Sequence, residues 1–200
     1  MQRVCIKQSV VSAIRQLQRQ STESNGKITL DSRGGVEKWT HRKGQIMESC
    51  NSGCVLNFHT HPPDYINLYP DHPSSTDMKY IYTSTCSKKE LGAHLIFTPK
   101  WIYAIYFKCD SYKKSLVDFF SIRRSIDNLF EELAGKHDRS SENFRSAWIE
   151  DLRLLGFVIY EFNYMEEVVF QSPTVPTKVL NAKHVFIVCL FICIFLYTMN

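Results

Sequence analysis

The stretch "NFHTHPPDYINLYPDHPSSTD", residues 57–77, sets two histidines one residue apart, closes them off with two prolines and reaches a Ser-x-x-Asp after a gap. With Gly53-Cys54-Val55-Leu56 ahead of it, the run predicts a strand stopped at Pro62 and Pro63. Side chains alternate along a strand, so His59 and His61 point to one face and both imidazoles can reach a single ion. A short helix is predicted over 76–85, with Ser74 or Ser75 as N-cap and Asp77 in its first turn, where a third ligand would sit. Two histidines and one carboxylate leave a zinc ion an open position for water, the arrangement of a catalytic rather than a closed site. Amide hydrolysis there would need a Glu or Asp beside the water as general base.

A His-x-His pair alone is weak, and the same histidines admit a second reading. Cys50-x3-Cys54-x4-His59-x-His61 has the donors of a closed, structural Cys2His2 zinc module. That reading leaves Ser74 and Asp77 without a role and puts Cys54 and His59 at opposite strand parity. Cys5, Cys86 and Cys109 read as ordinary buried cysteines. His72 reads as a loop histidine with a lesser claim on the site, His94 as a packing or edge residue, and Glu166-Glu167 as a solvated pair.

His-x-His-Pro at 59–62 followed by Ser-Ser-Thr-Asp at 74–77 resembles the JAMM motif of the MPN-domain zinc metalloproteases. These enzymes are isopeptidases that remove ubiquitin or ubiquitin-like modifiers. The family's glutamate lies in a stretch like Glu-x-x-Gly-x-hydrophobic, which "ESNGKI" at 23–28 fits; Glu37 and Glu48 compete but lack the pattern. The resemblance covers roughly residues 1 to 110. It implies that His59, His61 and Asp77 bind Zn2+, that Glu23 is the general base, and that Ser74 donates to the developing oxyanion. It also implies an MPN fold, a three-layer α-β-α core with a mixed central sheet. Two departures stand out. The His61–Asp77 gap is about five residues longer than in compact members, which makes "DYINLYPDH" an extra loop. The Glu23–His59 segment is shorter, as in versions of the family encoded by large DNA viruses of eukaryotes. An MPN-fold protein that serves assembly at a membrane or virus particle without turnover is the alternative.

Outward from the motif, Ile6, Val10, Ala13, Ile14 and Leu17 predict an amphipathic helix over 3–20. Ile28 and Leu30 mark a strand closed by a turn at Gly34-Gly35. "HLIFTPKWIYAIYFKC" reads as two strands around Pro99-Lys100. A helix follows with Leu116, Phe119, Phe120, Ile126, Leu129, Phe130 and Leu133 on its apolar side and Gly135 as its stop. "SSENFRSAWIEDLRLLG" is a further helix capped by Ser140 or Ser141, and "FVIYEFNYMEEVVF" is strand material. Interleaved strands and helices predict an α/β core over 1–172.

The basic residues are scattered and the net charge is only +4, which gives a nucleic-acid partner no dense basic face. Seven cysteines without framework spacing, and no apolar leader, point to a reducing intracellular compartment. Pro173 and Pro176 mark a linker over 173–184. The apolar run Val185–Met199 then reads as a transmembrane tail anchor, with Lys183 and Tyr197 at its borders. It is short of the roughly 20 residues of a full span. The expectation is a catalytic domain facing the cytosol, on a host membrane or virion if the chain is viral, with ubiquitin-type conjugates as partners.

Overall fold

The computed structural model describes residues 1–19, 22–43, 56–63, 71–88, 92–108 and 116–173. In chain order the elements are β1 (Gln2–Ile6), α1 (Gln8–Gln18), β2 (Ser24–Leu30), β3 (Val36–Lys43), β4 (Leu56–Thr60) and α2 (Ser75–Lys88). Then come β5 (His94–Phe97), β6 (Trp101–Phe107), α3 (Leu116–Lys136), α4 (Glu142–Leu154), β7 (Phe157–Asn163) and β8 (Val168–Ser172). Six strands form one sheet in the order β3-β2-β4-β5-β6-β7, and β1 pairs with β8 in a separate two-stranded ribbon. The sheet is mixed: β4 and β5 run parallel and every other pair is antiparallel. A mixed α/β architecture is therefore as expected.

Strand alternation divides the interior into two cores. Leu56, Phe58, Leu95, Phe97, Ile102 and Ala104 face α1 and the β1–β8 ribbon, meeting Val11, Ile14, Leu17, Val4 and Phe170. Their neighbours Ile96, Tyr103, Ile105 and Ile159 face the other way, against Met78 and Ile81 of α2, Ile126 and Phe130 of α3, and Phe144 and Trp148 of α4. The sheet is thus covered on both faces, so its central strands carry apolar residues at nearly every position.

Several expectations are corrected. The first helix begins at Gln8, not at residue 3, because Val4 and Ile6 are core residues of a strand registered on β8 from the far end of the chain. No local period reveals that pairing. Cys5, between them, is exposed rather than buried. β3 was not anticipated: it is a mostly exposed edge strand rich in charge, a composition that protects an edge but hides it from hydrophobic pattern. Gly135 does not stop α3, which runs to Lys136, and Phe120 is 63% exposed, off its buried face. Ser141 caps α4 by accepting from the Phe144 N–H, as one of the two serines was expected to do. The paired strands around Pro99-Lys100 form an antiparallel hairpin. Cys50, Cys54, Glu48, Cys109, most of the linker and the apolar run Val185–Met199 lie outside the described residues. Among the described residues no helix is long and apolar enough to cross a membrane.

Two glycines carry steric duties. Gly34 sits at φ +82 in the β2–β3 turn, where a Cβ would come 1.8 Å from the Arg3 carbonyl oxygen. Gly26 lies in β2 between β3 and β4, and a Cβ there would meet the Thr40 carbonyl oxygen at 2.1 Å and the Phe58 ring at 2.3 Å. The Phe58 ring lies against β2, the strand that Glu23 immediately precedes, so filling this space disturbs core and site together. Gly26→Ala should cost about 1–3 kcal/mol by overpacking, measured by denaturant unfolding. Unchanged stability would show that β2 and Phe58 can part without penalty.

Candidate metal centre

β4 is buried along its whole length. Asn57 and His59 therefore face the helical layer of α2, α3 and α4 while Leu56 and Phe58 face α1. His61 follows the strand, and its backbone is pinned there: its N–H donates to the Phe97 carbonyl at 2.8 Å. The buried Gln18 amide of α1 donates to the His61 carbonyl at 3.0 Å and to the Phe97 carbonyl at 2.9 Å. Tyr164 steadies that amide, its hydroxyl donating to the Thr98 carbonyl at 2.7 Å and lying 3.1 Å from Gln18 Oε1.

Asp77 arrives on α2, and the start of that helix is a reciprocal cap. Ser74 Oγ accepts from the Asp77 N–H at 3.1 Å, while the Ser74 N–H and hydroxyl both donate to Asp77 Oδ2 at 2.7 Å. Ser74, not Ser75, is thus the cap, and it holds the carboxylate in place. The segment leading in is fastened to the second helical layer. Trp148 Nε1 donates to the Pro73 carbonyl at 2.8 Å, and the Tyr103 hydroxyl donates to the Asp71 carbonyl at 2.6 Å.

The outcome is one buried cluster of His59, His61 and Asp77. His59 Nε2 lies 3.0 Å from His61 Nε2 and 3.2 Å from Asp77 Oδ1, and His61 Nε2 lies 3.4 Å from Asp77 Oδ2. Tetrahedral ligands on a metal at zinc-nitrogen distances sit about 3.3 Å apart. The two imidazoles, each close to a different oxygen of Asp77, are at separations of that order, and the three side chains are only 1%, 2% and 5% exposed. Burial by itself would raise the Asp77 carboxyl, but His59 and His61 outweigh it and hold it well below the usual carboxylate range. An anionic carboxylate and two imidazoles are the donor set of a divalent cation site.

Glu23, half-buried, precedes β2 and is drawn to the cluster. The Ser24 N–H donates to Thr60 Oγ1 at 3.0 Å, and Asn25 pairs with His59 across β2 and β4. Burial raises the Glu23 carboxyl above its ordinary value, His59 and His61 pull it back, and Asp77 pushes it up again. These mutual effects bring it electrostatically into the cluster without making it a fourth member. Glu37, its rival, is exposed on β3.

His94, read as a packing or edge residue, is instead a partner of the cluster. Its Nε2 lies 2.8 Å from His59 Nδ1, and burial first, then His59, pushes it down to about 3. A histidine that offers one ring nitrogen to a metal commonly has the other held by a carboxylate, carbonyl or water; here a second imidazole holds that place. The only hint in the sequence was a polar residue opening a strand that is otherwise wholly apolar. His72 takes no place in the cluster: its ring packs on Phe144 and Phe130, with Nδ1 2.9 Å from the Pro73 carbonyl oxygen and Nε2 3.2 Å from that of Arg139.

No protein-family model, curated protein or solved structure matches the chain.

Burial lowers His72 from 6.5 to about 4, against two carbonyls that favour a second ring proton. The unfolded ring takes its proton near 6.5 and the folded ring near 4, so the unfolded state binds more protons between those values. Stability should therefore fall as pH drops from about 6.5 to about 4. Denaturant midpoints across that range should show the slope, and His72→Phe should flatten it even if it lowers the plateau. An equal slope in His72→Phe would assign the proton uptake elsewhere.

Proposed function

We propose that this chain is a zinc-dependent isopeptidase of the JAMM type on an MPN fold, acting on ubiquitin or ubiquitin-like conjugates. One observation carries the reading. His59 at the end of β4, His61 just after it and Asp77 of α2 converge, with the imidazole nitrogens 3.0 Å apart and 3.2 and 3.4 Å from the two oxygens of Asp77, beside a half-buried carboxyl at Glu23. The covered mixed sheet, with helices on both faces, is consistent with the α-β-α layering such a fold requires.

Zinc held by His59, His61 and Asp77 would supply a Lewis acid and lower the pKa of a water. Glu23 would accept the proton of the attacking water and return it to the leaving amine, work helped by a carboxyl raised above its ordinary value. Ser74 would turn its hydroxyl from Asp77 Oδ2 to the developing oxyanion while its Oγ goes on accepting from the Asp77 N–H at the start of α2. Gln18 and His94 hold the two histidines in register, so the donors need no rearrangement to meet a cation. The apolar run Val185–Met199 is proposed as the element that keeps the enzyme at a membrane, facing conjugates in the cytosol.

Metal analysis of purified protein should find close to one zinc. His59→Ala and Asp77→Ala should lose it while Cys50→Ser retains it; the reverse pattern would favour the Cys2His2 module. In cleavage of di-ubiquitin, Glu23→Gln should keep zinc yet abolish turnover. Ser74→Ala should slow it by roughly 10²–10³-fold and cost about 1 kcal/mol through the lost cap. Full turnover in Glu23→Gln would remove Glu23 from the role of base.

A further inference from the structure

A cavity of about 320 Å3 opens beside the triad, lined among others by Asn25, Asn57, Tyr80 and His94, and none of His59, His61 and Asp77 lines it. Strand register explains its make-up. Asn57 pairs with Lys27 of β2 and with His94 of β5, so these three form one row of the sheet face that α2 covers. Asn25 and His59 form the next row on that face, which makes Asn25 and Asn57 diagonal neighbours across β2 and β4. Lys27 and Arg42 also border the cavity, but each has interactions of its own, so charge does not select what enters.

Asn25 and Asn57 are 9% and 4% exposed, and although both residues are otherwise engaged, the atoms Asn25 Oδ1 and Asn57 Nδ2 make no hydrogen bond. Leaving a buried acceptor and a buried donor unanswered is costly. The two are opposite in kind. An anion only accepts and would leave Asn25 Oδ1 unanswered; a cation only donates and would leave Asn57 Nδ2 so. A single hydroxyl or water oxygen would have to reach both, whereas diagonal neighbours on one face stand about 7–8 Å apart at the backbone. An amide carries a donor and an acceptor at opposite ends, and with a hydrogen bond of about 2.9 Å at each end it spans a gap of that order. His94 Nδ1, also buried and without a hydrogen bond, gives or takes one according to its tautomer, so it serves either end.

We propose that this cavity binds an amide group, its N–H donating to Asn25 Oδ1 and its carbonyl accepting from Asn57 Nδ2. The amide is either a peptide bond or the side-chain carboxamide of a glutamine or asparagine. The volume lies at the small end of the range for ligand pockets, which suits one residue of a peptide rather than a cofactor. Tyr80 of α2, its ring edge-on to His94 with centroids 5.8 Å apart, offers an apolar surface to the carbon atoms that flank the amide. Because Asn25 pairs with His59, the bound residue would lie one row of the sheet from the cluster, yet the site needs no metal and goes beyond the isopeptidase reading.

The test uses the full-length protein with 15N-labelled asparagine at constant ionic strength, titrated with the methylamides of acetyl-alanine, acetyl-glutamine and acetyl-glutamate. The glutamine probe should move the Asn57 side-chain NH2 signals saturably and carry their protons downfield, as donation to a carbonyl requires. Equal saturation by the alanine probe assigns the peptide bond, and a response to glutamine without alanine assigns the side-chain carboxamide. Asn25→Leu and Asn57→Leu remove the polar atoms at nearly constant volume and should each weaken binding by about tenfold or more. Tighter binding of glutamate than of glutamine would reveal an anion site and overturn the proposal. A response unaltered by both substitutions overturns it as well, and so does the absence of a saturable response to any probe, which leaves the cavity to water. An Asn57 NH2 signal already downfield in the unliganded protein and unmoved by the probes would mean that the two carboxamides bond to each other, and sinks the proposal whether or not the variants fold. Zinc content of the same samples tests the metal reading separately, since its loss leaves each of these outcomes decisive.

Discussion

Burial of β4 on both faces is the constraint on which the rest of the molecule depends. On a strand covered on both sides, a polar group loses its water, and each one left without a partner is costly. Leu56 and Phe58 meet this demand by packing on α1, and Phe58 can do so only because Gly26 has no side chain. Asn57, His59 and His61 face the helical layer, where imidazoles need partners. The partners are Asp77 from α2 and His94 from β5, brought by the parallel pairing of β4 with β5 and by the crossover helix between them.

That crossover explains the size of the second helical layer. Asp77 must stand over the end of β4 although its helix begins well after the strand has ended. The residues just before α2 are tied down at several points: Trp148 of α4 holds the Pro73 carbonyl, Tyr103 of β6 holds the Asp71 carbonyl, and Lys100 bonds to the Asp71 carboxylate. Tyr103 is in turn backed by Arg145, which pairs with Glu142 and Glu161 and stacks over Trp101 at 4.4 Å. The helices α3 and α4 are therefore more than a cover for the sheet. They fix the approach to α2 well enough to bring carboxylate oxygens within 3.2 and 3.4 Å of the two histidines.

A cluster of two imidazoles and a carboxylate, almost without exposure, is not the most stable way to fill that volume. Apolar side chains of the same size would avoid the desolvation of Asp77 and of His94. Retaining such a group in the interior is understandable where it meets a cation, which would be held by Asp77 and the two ring nitrogens together. The raised Glu23 carboxyl at the edge of the same cluster belongs to the pattern expected where groups are tuned for proton transfer.

Much of the site was legible in the sequence because its signals are local. The period of two places His59 and His61 together, Pro62 and Pro63 end the strand, and the Ser-x-x-Asp spacing makes the capping box that orients Asp77. The helices α2, α3 and α4 and the hairpin at Pro99-Lys100 declare themselves through apolar spacing and turn residues in the same way. What could not be read locally depends on partners far along the chain. Val4 and Ile6 become a strand only because Val168–Ser172 returns to them, and β3 is a charged edge held by its pairing with β2. Gln18 clamps His61 from an otherwise ordinary helix, and His94 meets His59 through a parallel register across 35 residues. Local sequence determined which side chains share a face and where α2 and α4 begin, because backbone periodicity and capping act over a few residues. Only the tertiary structure decided which faces meet, because that is settled by burial of the whole sheet, and so it decided that the histidine at the start of β5 stands against the cluster of His59, His61 and Asp77.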